Sequence, residues 1–243
     1  MLFIAGTDTG VGKTVLSVLL TRFLLGRGVK VAALKPICSG GRGDARALQS
    51  VMNGALSLDE INPWYFRAPL APVLAARRER KRVFFADVLA RVRAMQMRFD
   101  VVLIEGAGGL LSPMGLFQSG GRRPPQPLLA LPGRRDRRNF DARDLVVALQ
   151  ATPVVVCPNR LGAVNQVRLT LEALPERFRA RARVVLMSPP EPDAATGSNA
   201  KLLAEFPGGG EILTLPWFGK KFETITTLEN PLARQTLGRL AQF

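Results

Sequence analysis

LFIAGTDTGVGKT, residues Leu2–Thr14, begins as a short apolar run and breaks into a glycine-spaced turn that ends in Gly12-Lys13-Thr14. Glycines at 6, 10 and 12 let successive backbone N–H groups converge on an anion, and a helix starting here adds the positive end of its dipole. In such a phosphate cradle Lys13 reaches the β- and γ-phosphates of a nucleoside triphosphate, and the Thr14 hydroxyl ligates Mg²⁺. Five residues separate Gly6 from Gly12, one more than in the usual G-x-x-x-x-G-K-[ST]. A bare G-K-T also occurs in ordinary glycine turns. Here an apolar strand precedes the turn, and Leu16, Leu19, Leu20, Phe23 and Leu24 follow it on one face of a helix that should end near Gly26–Gly28.

Beyond that helix, Lys30–Leu34 is a second apolar strand that stops at Lys35-Pro36, with Ser39-Gly40-Gly41 and Gly43 in the loop that follows. Asp44–Met52 reads as a short helix begun by its aspartate, Ile61–Pro72 as a loop, and Phe85, Val88, Leu89, Val92 and Met95 as the apolar face of another helix. Asp100–Glu105 is a near-continuous apolar strand with a carboxylate at its carboxyl end. Ligands of open α/β sheets sit at the carboxyl ends of strands, so Glu105 is expected to face the phosphates held by Lys13. Asp141–Gln150 has helical character and leads into the strand Thr152–Cys157; Arg183–Met187 and Glu211–Leu215 are further strands, with helices from about Ala163 to Leu174 and over Asn230–Leu240. This alternation predicts an α/β fold of the P-loop NTPase type, a single doubly wound, mostly parallel sheet with helices on both faces, over residues 1–243 as one domain.

Composition narrows the chemistry. There is no histidine, and the two cysteines, Cys38 and Cys157, make neither a disulfide framework nor a metal cluster. Catalysis must therefore run on Lys, Asp, Glu, Ser, Thr and backbone donors. No apolar run approaches the roughly 18 residues that span a bilayer, and Met1 leads straight into the first strand, so a cytoplasmic protein is expected. The formal net charge of +15 raises nucleic acid or a membrane surface as partners. Its distribution argues against both, because a third of the excess comes from Leu116–Arg138 and much of the rest from scattered helix faces such as Arg77–Arg82. That segment, with six arginines and one aspartate among prolines and glycines, has neither helical nor strand periodicity and predicts a disordered basic insertion at 116–138.

With GTDTGVGKT, Lys35–Gly40 (KPICSG) and Glu105–Gly109 (EGAGG) in this order, followed by Pro153–Asn165 (PVVVCPNRLGAVN) and Leu215-Pro216-Trp217, the chain resembles dethiobiotin synthetase. The resemblance covers nearly everything except Leu116–Arg138. It implies ring closure with ATP as co-substrate and Mg²⁺ as cofactor: 7,8-diaminopelargonic acid takes up CO₂ as a carbamate, the carbamate is phosphorylated, and the second amine closes the ureido ring. By position it implies Lys13, Lys35, Ser39 and Thr9 as catalytic residues and Thr14, Asp44 and Glu105 as the metal set. Nucleotide contacts are implied for Thr9, Gly10, Val11, Gly12, Lys13 and Thr14 in the cradle, and for Glu105, Gly108, Ser188 and Pro216 elsewhere. A homodimer is also implied, with Leu161–Asn165 at the interface.

Three positions depart from the family's pattern. The loop between Ser39 and Asp44 is short, Ser188 stands where the family places an asparagine that reads the adenine edge, and Ala71 stands where a substrate-contacting serine is common. Two other classes compete for the same cradle. A partition-type ATPase that binds DNA or a protein partner would suit the charge, but carries a lysine five residues before the cradle lysine, where this chain has Asp8. An amide ligase of the cobyrinic-acid type would need a glutaminase domain with a nucleophilic cysteine, for which the chain has no room.

Overall fold

In the computed structural model, which describes residues 1–118, 138–206, 210–219 and 228–242, the apolar run Leu2–Gly6 is β1 and lies inside a six-stranded sheet. Its helix α1 (Lys13–Leu25) returns the chain to β2 (Val31–Leu34) at the sheet edge. The remaining sheet strands are β5 (Val101–Gly109), β8 (Thr152–Pro158), β9 (Arg183–Met187) and β10 (Glu211–Leu215). Their spatial order is β10-β9-β8-β1-β5-β2, and every pairing is parallel. Successive side chains of a strand point to opposite faces, yet all five residues of β1 and the first seven of β5 are buried, so both faces of the sheet are covered. The cover is α1 with α2 (Gly43–Val51) and α10 (Pro231–Leu240), and α5 (Phe85–Gln96) with α6 (Ala142–Leu149). The helix α7 (Ala163–Glu172) packs on β8.

Every strand expected for the main sheet is present, with ends shifted by a few residues at most. What the periodicity did not disclose is a small annex beside it. The expected loop Ile61–Pro72 contains β4 (Trp64–Phe66), which pairs in parallel with β3 (Ile37–Ser39), and it is preceded by α3 (Leu58–Ile61) and followed by α4 (Pro72–Arg78). Strands of three residues are too short to show a period. They are held instead by Asn62, a fully buried amide whose Nδ2 donates to the carbonyls of Lys35 at 2.7 Å and Trp64 at 3.3 Å. The Lys35 N–H donates to the Ile61 carbonyl at 3.1 Å, so this annex clamps the backbone of Lys35 from outside the sheet.

Two expectations need correction. Asp44 does not cap its helix: α2 begins at Gly43 with Arg42 at the cap position, and the Asp44 carboxylate turns to Lys35. The two end residues of the segment expected to be a disordered insertion, Leu116 and Arg138, belong to described backbone with defined partners. Residues Gly115–Leu116 form β6 and pair antiparallel with β7 (Asn139–Phe140), and the Phe117 N–H donates to the Arg138 carbonyl at 3.0 Å. Phe117 is buried against Phe85 and Phe140, with ring centroids 5.1 and 6.2 Å away. The disorder expected for the interior of the insertion, residues 119–137, lies outside the described residues.

These anchors separate two deletions that look alike in sequence. Replacing 119–137 by Asn-Gly, so that Gln118-Asn-Gly closes a three-residue loop, keeps the β6–β7 pairing and the Phe117 packing and is expected to cost less stability than removing 116–138. Removing 116–138 also removes Phe117, and should lower stability by about 3–5 kcal/mol, as should Phe117→Ala alone. Thermal denaturation of the three variants checks the difference.

Candidate active site

The carboxyl ends of β1, β5 and β2 open onto a cavity of about 640 Å³, one wall of which is the glycine turn. Gly12 has φ 99°, a left-handed conformation that L side chains resist, and it turns the chain directly into α1. Gly6 is needed for space: a Cβ there would stand 2.7 Å from the Lys13 Nζ and 2.7 Å from the Asp8 carbonyl oxygen. Those two atoms meet each other as well, Lys13 donating to Asp8 at 2.7 Å, so the lysine is folded back over its own turn. Lys13 is only 6% exposed, and burial, reinforced by the nearby Lys35 charge, pushes its pKa down to about 8.

Across the cavity Lys35 is buried, and its ammonium meets three oxygens: Glu105 Oε1 at 2.6 Å, Asp44 Oδ2 at 2.9 Å and the Gly106 carbonyl at 3.1 Å. An ammonium has three protons, so every donor is used. Burial alone would lower the Lys35 pKa, but Glu105 and Asp44 more than offset it and hold the group above the ordinary lysine range. Burial would likewise raise Asp44, and Lys35 and Thr14 outweigh it, holding the carboxyl below its usual value.

The expected metal set is brought together. The Thr14 hydroxyl donates to Glu105 Oε1 at 2.8 Å, and Lys35 links Glu105 to Asp44. The second oxygen of that carboxylate, Glu105 Oε2, is buried with no hydrogen-bond partner. A buried carboxylate oxygen without a donor is costly unless a cation completes it, so these oxygens suit a hard divalent ion such as Mg²⁺.

Thr9, Gly10, Gly108 and Ser39 line the same cavity, as does Ala71 at the start of α4. Val11 does not: its side chain is buried in the core. Ser188 and Pro216 also lie outside the cavity, at the ends of neighbouring strands, where the Ser188 N–H donates to the Leu215 carbonyl at 2.8 Å. They adjoin the glycine turn through Met187, whose Cε would be 3.0 Å from a Cβ on Gly12. Sequence reasoning missed the cavity roles of Cys38 and Ser112. Cys38 is a buried free thiol whose pKa burial pushes up, and the Ser112 Oγ accepts from the Gly109 N–H at 3.1 Å. Only the position of Cys38 between Lys35 and Ser39 could have signalled it.

A family model described as an AAA domain matches residues 1–119. An ATP-dependent dethiobiotin synthetase of Anaeromyxobacter dehalogenans (strain 2CP-C) is 35% identical over 221 residues, 89% of this chain and 89% of that one. The chain belongs to the dethiobiotin synthetase family. Dethiobiotin synthetases of Akkermansia muciniphila and Rhodococcus erythropolis (strain PR4) are similar at 33% and 36% identity, covering 84% of this chain and 85% and 83% of theirs. In this family member the cradle, Lys35, Asp44 and Glu105 all fall within the segment matched by the AAA model.

The buried ion pair yields a stability test. Glu105→Ala leaves the Lys35 ammonium with one carboxylate instead of two, and should cost about 3 kcal/mol in denaturant unfolding at neutral pH.

Proposed function

We propose that the chain is an ATP-dependent dethiobiotin synthetase, closing the ureido ring of dethiobiotin from 7,8-diaminopelargonic acid, CO₂ and ATP. The observation that carries this reading is that two buried lysines, Lys13 and Lys35, line one cavity together with Thr14, Asp44 and Glu105. Phosphoryl transfer between two anions, a triphosphate and a carbamate, is limited mainly by positioning and by charge, and this cavity offers cations to both. Lys13 and the backbone N–H groups of Gly10 and Gly12 hold the triphosphate. Lys35 and Ser39 hold the carbamate and the transferring phosphoryl group, and Thr9 lies in the turn between substrate and nucleotide. Mg²⁺ held by Thr14, Asp44 and Glu105 supplies charge neutralisation of the phosphates. No histidine base is required, since the carbamate is already anionic. Once phosphorylated, its carbonyl carbon is attacked by the second amine, the ring closes and phosphate leaves.

The base falls to the outlying Ser188 and Pro216, and with serine in place of asparagine the adenine edge loses one side-chain amide. We read residues 1–243 as one domain acting as a homodimer. Leu169 and Leu111, at 63% and 51% exposure, provide an apolar surface beside the glycine turn suited to a second copy, and Leu161, two residues before α7, is 76% exposed. Among the described residues no helix is long and apolar enough to cross a membrane, which accords with a cytoplasmic enzyme. The partition-type ATPase is not favoured: Asp8 occupies the position of its signature lysine, and in this structure the Asp8 carbonyl accepts from Lys13.

Phosphate release measured with and without 7,8-diaminopelargonic acid and bicarbonate tests the proposal, with turnover expected only when both are present. Lys13→Ala should lower that turnover by about 10²–10³-fold. Lys35→Gln should lower turnover far more than nucleotide affinity measured by calorimetry. ATP turnover independent of the diamine would overturn the reading.

A further inference from the structure

We infer that Lys35 is a selectivity residue for the metal: its ammonium fills the cation position between Asp44 and Glu105 until nucleotide arrives, so that free Mg²⁺ is turned away and the ion enters with the triphosphate. The inference rests on the metal-site assignment made above for Thr14, Asp44 and Glu105.

The geometry supports each step. The two carboxylates expected to ligate the ion are both engaged by one buried ammonium, at 2.9 Å for Asp44 and 2.6 Å for Glu105. Both face the same cavity, and Lys35 is the group that joins them. A free divalent ion would have to lose water, which Mg²⁺ does reluctantly, and would have to push a fully hydrogen-bonded ammonium away from its partners. With Lys13 lining the same cavity, two cations already stand against those two carboxylates, and a lone divalent ion would leave excess positive charge in a partly buried space.

Nucleotide changes both terms. Phosphate oxygens give the Lys35 ammonium new acceptors, so it leaves the carboxylates without being stranded in a buried site, and their negative charge offsets the incoming ion. Glu105 has an oxygen in reserve for this exchange, because Oε2 is buried and unpartnered while Oε1 holds Lys35 and Thr14. Metal loading and release of Lys35 toward the acceptor side are therefore one event. An enzyme built this way does not take up the metal before its phosphoryl donor.

Mn²⁺ without nucleotide, followed by electron paramagnetic resonance on the full chain, tests the inference directly. Lys35→Met keeps an unbranched side chain, one atom shorter, and removes the charge, and is expected to bind Mn²⁺ at least about tenfold tighter than the unaltered chain. Adding Asp44→Asn to that variant should abolish the gain and so locate the ion. Equal or weaker Mn²⁺ binding by Lys35→Met would overturn the inference. Should Lys35→Met fail to unfold cooperatively, the ¹⁵N resonance of the Lys35 ammonium in the unaltered chain decides. Mg²⁺ alone should leave it in place and Mg²⁺ with a non-hydrolysable ATP analogue should shift it, whereas a shift on Mg²⁺ alone would overturn the inference. Diamine-dependent phosphate release is measured separately, so this idea and the proposed function fail independently.

Discussion

A buried ammonium shared by two carboxylates is the constraint on which the site depends. Lys35 follows β2 and Glu105 lies in β5, and the parallel register that pairs Leu34 with Ile104 sets the next residue of each chain side by side. On the other edge of β5, Glu105 is in register with Ile4 of β1, whose strand leads through the glycine turn to Thr14. Strand order thus delivers the lysine, the carboxylate and the hydroxyl to one point, and α2 adds Asp44 from above. An ion pair of this kind is poor value as a stabiliser, since well-packed apolar residues of similar size hold a core at least as well. Its retention at the mouth of a cavity therefore argues for chemistry there.

The clamp on Lys35 comes from residues that do not line the cavity. Asn62 is fully buried and spends its amide on the backbone of Lys35, Pro36 and Trp64, while Arg42 donates to its Oδ1 at 3.2 Å. A lysine side chain has four flexible bonds, so its head is only as well placed as the backbone from which it starts. The annex of β3 and β4 fixes that starting point, and the two carboxylates fix the head.

What could be read in the sequence follows from the reach of each signal. Main-sheet strands are buried on both faces and so appear as unbroken apolar runs, and the cradle is a local motif whose glycines declare themselves by spacing. Asp44 was placed at a helix start, which is nearly right, but its partner lies nine residues earlier in sequence and is brought close only by the fold. Asn62 gave no signal at all, because a buried amide that serves backbone carbonyls looks like any loop asparagine. The ends of the basic segment are hard to read for the opposite reason. Composition is a property of the whole segment, whereas Phe117 belongs to an aromatic cluster with Phe85 and Phe140, both distant in sequence.

The two ends of the nucleotide path are built unequally. At the phosphate end, glycine backbone, two lysines, two carboxylates and a hydroxyl converge, and the contacts that join them all involve a charged or backbone group. At the far end, Ser188 and Pro216 are held by strand-end backbone, with the Ser188 N–H already committed to Leu215. Discrimination by a site grows with the number of polar groups that a wrong ligand would leave unpaired. The phosphate end has many such groups and the base end few. Under the roles proposed above, the described residues concentrate recognition on the triphosphate and its acceptor rather than on the base.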